Sequence, residues 1–149
     1  MKKFLAVSLG RVDWNIWKPI LSNLKNLNID IAATGMHFDK NYGSSYKQII
    51  KDGFIIKNKI KVKYSASSSE YLNNQIAEYL TKFSKIFKKE KYDFLILIGD
   101  RFESVAASIS AISFGIPIIH FHGGEITEGS IDNQYRHAIT KLSNFHLVT

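Results

Sequence analysis

Residues 92–99, YDFLILIG, form an almost unbroken apolar run that ends on a glycine. A strand can be apolar on both faces only where both faces are covered, and that arrangement belongs to a parallel sheet flanked by helices. The rest of the chain follows the same constraint. KKFLAVS, NIDIAATG and IPIIHF read as further strands, and FHLVT as the opening of one more. FIIKNKIKVKY reads as an extended segment whose register the pattern leaves open. Helical periodicity fills the intervals, most clearly where Leu72, Ile76, Tyr79, Leu80, Phe83, Ile86 and Phe87 share one face. Ser67 and Glu70 form a capping box ahead of that helix. Pro19 is at ease only in a first turn. The spacing therefore predicts LGRVDW as a loop and a helix that starts near Lys18 or is kinked there. Strands alternating with helices predict an α/β fold, doubly wound and mainly parallel, with its ligand site outside the carboxyl ends of the strands.

Composition sets the outer limits. With 149 residues the chain is about one domain, and 45% hydrophobic with 22% charged residues excludes a disordered class. There is no cysteine, hence neither a disulfide framework nor a thiolate metal site. MKKFLAVSLG begins like a leader, but Arg11 and Asp13 interrupt the apolar run and make it a first strand. No stretch approaches the roughly 20 apolar residues of a membrane span, and a cytoplasmic protein is expected. The net charge of +7 is concentrated in TKFSKIFKKEKYD and IKNKIKVKY, where lysines punctuate an amphipathic pattern. That is a solvated face, and nucleic acid is not the expected partner.

Two consecutive strands run directly into ionisable groups. LILIGDRFESVAA places Asp100 and Arg101 where a helix opens, and IPIIHFHGGEITEG leads into His120, His122 and Glu125. Asp-Arg-Phe-Glu reads as a capping box, with Asp100 as the cap and Glu103 reaching back. Arg101 opposes the helix dipole there, which favours a bound anion. His120 and His122 alternate at a strand end and so face one side, as acid–base groups or as hydrogen-bonded structural histidines. Metal binding would need a third ligand such as Glu125 or Asp132, and His-x-His alone does not specify one. Asp132 opens the following helix as an N-cap, and Arg136 stands four residues on, within pairing reach. Arg11, at a strand-to-helix loop, has the forked geometry to hold a phosphate. There is no G-x-G-x-x-G, so no dinucleotide fingerprint.

GDRFESVAA, HFHGGEITEGSID and RHAITKLSNFH, in this order and with RVDWNIWKPIL, TGMHF and KDGF upstream, resemble the hydrolysing UDP-N-acetylglucosamine 2-epimerases over essentially the whole chain. The resemblance implies a two-domain enzyme of the glycosyltransferase-B type. Residues 1–149 would be most of its N-terminal Rossmann-like domain, without the second, UDP-binding domain, and inactive alone. It implies a UDP-amino sugar as substrate, no metal or redox cofactor and a glycal intermediate. It also implies Asp100, His122, Glu125 and Asp132 as catalytic residues, with Arg11, Arg101, His120, Arg136 and His146 holding the substrate. His122 stands where some of the family carry Glu, and Asn133 where a second Asp is frequent. Homo-oligomerisation stays open, and the alternative is a non-catalytic binding module of the same fold.

Overall fold

The computed structural model describes residues 1–63, 68–124, 126 and 128–148. Six strands form one sheet: β1 (Lys3–Ser8), β2 (Asn28–Ala33), β3 (Ile56–Lys59), β4 (Phe94–Ile98), β5 (Ile118–Phe121) and β6 (Phe145–Leu147). Their order is β3-β2-β1-β4-β5-β6, and every neighbouring pair is parallel. The chain thus winds outward twice from the centre, first through β1 to β3 and then from β4 to β6. Parallel strands need crossovers, and helices α1 (Arg11–Asn23), α2 (Tyr46–Lys51), α3 (Ser69–Lys89), α4 (Phe102–Ser113) and α5 (Asp132–Leu142) lie between them.

The two sheet faces bury different helices. Leu5, Val7, Leu95, Leu97 and Ile118 point to the face covered by Tyr79, Phe83 and Phe87 of α3, Ala106, Ala107 and Ala111 of α4, and Ile139 of α5. Ala6, Ile31, Ala33, Ile96 and Ile98 point the other way, against Trp14, Trp17 and Leu21 of α1 and Ile49 of α2. Leu95, Leu97, Ile96 and Ile98 are all buried, which is why the run in β4 shows no polar alternation. Among the described residues no helix is long and apolar enough to cross a membrane.

Three local expectations are corrected. Helix α1 begins at Arg11, eight residues before Pro19, which sits inside it. Gly10 is extended at the N-cap, Trp14 N–H bonds its carbonyl at 3.0 Å, and Trp14, Trp17 and Leu21 bury one face. That burial, with Trp17 Nε1 donating to the Val7 carbonyl at 2.9 Å, outweighs the backbone bond lost at Pro19. Ser67 lies outside the described residues, and the side chain capping α3 is Ser68, whose Oγ accepts from Tyr71 N–H at 3.2 Å. Asp100 is not the cap of α4. Arg101 occupies that position with extended backbone, and the Asp100 carboxylate is drawn away to Arg136.

Candidate active site

The order of the sheet puts the carboxyl ends of β1, β4, β5 and β6 side by side. Each of the first three leads into a segment rich in ionisable groups. Asp100 and Arg136 join two of these segments. Arg136 lies on α5, its side chain 7% exposed, and its Nη2 donates to Asp100 Oδ2 across 36 positions of sequence. Arg136 therefore pairs with the end of β4, not with Asp132 along its own helix.

Arg101 is turned inward. Its Nε and Nη2 donate to the two oxygens of Glu103 at 3.1 and 3.2 Å, and Glu103 is fully buried. The anion that answers its charge at the start of α4 is thus supplied by this chain, and Glu103 does not reach back to a helix cap. A buried carboxylate is tolerated when a guanidinium fork meets both its oxygens.

His120 is also fully buried, with both ring nitrogens engaged. Nε2 lies 2.7 Å from the Gly99 carbonyl, an acceptor only, so the proton is on Nε2. Nδ1 then accepts from Thr140 Oγ1 at 3.2 Å. Burial holds the imidazole below its ordinary pKa, and neighbouring His146 and Arg136 act the same way, against the Gly99 hydrogen bond and Asp100. A β-carbon on Gly123 would lie 2.7 Å from Thr140 Oγ1 and 2.8 Å from His120 Nδ1. The first glycine of HFHGGE is there to let the backbone pass over this hydrogen bond.

Strand β5 ends at Phe121, and His122 follows it with φ of +57°, its N–H bonded to the Leu147 carbonyl at 3.1 Å. The alternation that would align it with His120 therefore stops one residue short. His122 is half-buried at the rim while His120 lies in the core. His146 sits on the exposed edge strand β6, in register with His120. Asp132 is the first residue of α5, not its cap, and its N–H donates to Ser130 Oγ at 3.1 Å. Arg11 is exposed in the first turn of α1. Glu125 lies outside the described residues.

Spacing alone passed over Asp13 and His37 and gave Glu103 a capping role in place of its contact with Arg101. Asp13 is in the first turn of α1 with Oδ2 accepting the Leu9 N–H at 2.9 Å. Burial pushes its carboxyl up to about 6, opposed by the Leu9 hydrogen bond and by Arg101, while Glu103 and Asp100 push it further up. His37 is fully buried between Ser8 Oγ, 2.8 Å from Nε2, and Ser45 Oγ, 2.9 Å from Nδ1, and burial lowers it to about 4. Asp13 lies two residues after Arg11 in the RVDW segment, which was the available signal. The partners of Glu103 and His37 had no local one.

The arrangement is a row of carboxylates, imidazoles and guanidinia along one rim, able to donate, accept and hold anionic groups. Residues 20–149 match the family model described as UDP-N-acetylglucosamine 2-epimerase. The chain is 36% identical over 151 aligned positions to UDP-N,N'-diacetylbacillosamine 2-epimerase (hydrolyzing) of Legionella pneumophila, covering 99% of this chain and 40% of that protein. It is 31% identical to UDP-N-acetylglucosamine 2-epimerase of Neisseria meningitidis, covering 99% of this chain and 39% of that one. The crystal structure of UDP-GlcNAc 2-epimerase from Neisseria meningitidis bound to UDP-GlcNAc superposes with a TM-score of 0.82 at 18% identity, over 98% of this chain and 39% of that one. The chain thus spans about two fifths of the length of the relatives it matches. On the extent of the family match, this chain belongs to the UDP-N-acetylglucosamine 2-epimerase family.

Proposed function

We propose that this chain forms one wall of a hydrolysing UDP-sugar 2-epimerase that works in the cytoplasm. Its substrate is UDP-N-acetylglucosamine or a diacetamido analogue, and its products are UDP and the free 2-epimer. In the first half of the reaction a base takes the proton from C-2 while the C-1–oxygen bond to UDP breaks, leaving a glycal. In the second half water adds its hydroxyl to C-1 and a proton returns to C-2 from the opposite face. Such a sequence needs a base, an acid and cations facing a departing diphosphate.

The observation that carries the reading is the meeting of Asp100 and Arg136 at the carboxyl end of β4, between the ends of β1 and β5. Asp100, His122, Glu125 and Asp132 are the proposed proton-transfer groups. Arg11, Arg136 and His146 face the sugar nucleotide. Arg101 and His120, also proposed to hold substrate, act on it through the turns they fix, given their contacts to Glu103 and to Gly99 and Thr140. No metal or redox cofactor takes part. A second domain, of the size by which the relatives exceed this chain, closes the cleft and carries most of the UDP contacts.

The test is UDP release from UDP-N-acetylglucosamine and from its diacetamido analogue in deuterated water. The chain alone is expected to be inactive. Completed with the remaining length of a relative, it is expected to release UDP and to leave deuterium at C-2 of the free sugar. Binding of the UDP-sugar without release would mark a non-catalytic module, and neither binding nor release would overturn both readings.

A further inference from the structure

Helix α5 is tied to the end of β4 by two separate sets of contacts. The first is Arg136 with Asp100. The second runs through His120, whose Nε2 donates to the Gly99 carbonyl at 2.7 Å while Nδ1 accepts from Thr140 Oγ1 at 3.2 Å. Arg136 and Thr140 stand four apart on α5, hence on one face, and Gly99 and Asp100 are consecutive. The contacts therefore close a ring of Arg136, Asp100, Gly99, His120 and Thr140. Gly99 has φ of +80°, its N–H donates to the Phe121 carbonyl at 3.2 Å, and its own carbonyl is held by His120. A peptide unit is planar, so holding that carbonyl also sets the plane from which Asp100 departs. The Thr140 hydroxyl is used differently from others in the helices. Thr81 Oγ1 donates back to the Ala77 carbonyl at 3.1 Å, Ser108 Oγ to Ser104 at 2.8 Å and Ser113 Oγ to Ile109 at 3.1 Å, each within its own helix. Thr140 sends its proton across to the sheet instead.

Both nitrogens of a buried neutral imidazole need partners. The Gly99 carbonyl can only accept, so Nε2 keeps the proton and Nδ1 needs a donor. Thr140 supplies it. We propose that Thr140 is a positioning residue of this site: its hydroxyl holds His120 in the Nε2–H tautomer, and His120 thereby fixes the Gly99 carbonyl and the stance of Asp100. Only the sugar nucleotide that Asp100 meets rests on the epimerase reading. The strut from Thr140 to Gly99 is a property of this chain alone. A threonine that merely filled space could give way to valine, which has its shape without the hydroxyl, and His120 would not respond. A positioning hydroxyl cannot be replaced in that way. Thr140 touches no reacting atom, and no bond to it is made or broken in the reaction.

Two measurements test the proposal. The first is NMR of the histidine ring nitrogens and the Asp100 carboxyl carbon in the isotope-labelled 149-residue chain at neutral pH. His120 is expected as the Nε2–H tautomer. An Nδ1–H tautomer in the unsubstituted chain overturns the proposal, and that reading needs no variant to fold. Thr140→Val is expected to shift both the His120 Nδ1 and the Asp100 signals, whereas Thr140→Ser keeps them in place. An Asp100 signal unmoved in a folded Thr140→Val chain overturns the strut. The second measurement is UDP release in the completed polypeptide. Thr140→Val is expected to lower kcat about tenfold with KM changed less than about twofold, and Thr140→Ser to restore kcat to within about threefold. An unchanged kcat for Thr140→Val, or an equal loss for Thr140→Ser, overturns the positioning role. Failure of the unsubstituted polypeptide to release UDP overturns the epimerase reading instead, and the NMR signals still decide the strut.

Discussion

At the amino end of the sheet Lys3 stands between Glu90 and Asp30, with the Tyr92 ring 5.2 Å from its ammonium. Lys2 meets Asp93 at 3.2 Å, and Asp93 also accepts the Lys3 N–H at 2.7 Å. Glu90 raises the Lys3 pKa, Lys3 lowers that of Glu90, and the Lys3 N–H and Lys2 lower that of Asp93. Every one of these shifts favours the charged form. At the carboxyl end the direction reverses: burial raises Asp13 to about 6 and lowers His120. Both shifts there favour the neutral form. The same kinds of side chain are solvated and paired at one end, and desolvated and set against one another at the other. Groups held off their comfortable protonation state in a folded chain are characteristic of sites that move protons. Under the proposed function, the amino end serves folding and the carboxyl end gives up some stability for chemistry.

The sharpest way to break this contrast is to neutralise one carboxylate at each end. Asp100→Asn is expected to reduce UDP release by about 10²–10⁴-fold in the completed polypeptide, whereas Glu90→Gln is expected to leave it within about twofold. Equal losses would erase the distinction. Next in size is a stability effect. Arg136→Met leaves Asp100 without its guanidinium in a largely buried place and is expected to cost about 3–5 kcal/mol in urea unfolding.

Asp13→Asn is expected to act in the opposite direction. Its folded pKa lies above its unfolded value of 3.8, so the protonated form favours folding. The associated stability is fully present below about pH 4 and is lost as pH rises through about 6. Asparagine cannot ionise and is expected to stabilise the chain above pH 7, by at most about 3 kcal/mol at 1.36 kcal/mol per pH unit. That gain is expected to vanish below pH 4. Chemical denaturation across pH 3.5 to 8 checks it, and a flat difference between the two chains would contradict the assignment. The smallest effect belongs to the amino end, where Lys3→Met is expected to cost under about 1 kcal/mol and less still in high salt.

What could be read along the chain was whatever depends on near neighbours. The apolar run of β4 and the repeating face of α3 declared themselves, because burial on two faces or on one stripe imposes a period of its own. Helix α1 was misread at its start because Pro19 is a strong local signal, and the packing of Trp14 and Trp17 against the sheet that overrules it is not local. The same limit applied to the site. Asp100, Arg101, His120 and Arg136 stand out along the chain as ionisable groups at strand ends and a helix start, but their partners are not legible there. Asp100 and Glu103 have the spacing of a capping box, and only the arrival of Arg136 from α5 and the burial of Glu103 under Arg101 show why they do not form one. Gly123 leaves room for the His120–Thr140 hydrogen bond, and Thr140 is too far along the chain for that purpose to be legible.

The most direct measurement is to add UDP-N-acetylglucosamine to isotope-labelled chain and follow the amide and side-chain signals by NMR. Binding at the rim is expected to move Arg11, Asp100, His122, Asp132 and Arg136 together while Lys57, Lys85 and Glu90 at the amino end stay still. Signals that move chiefly at the amino end, or an unresponsive rim at saturating nucleotide sugar, would contradict the account.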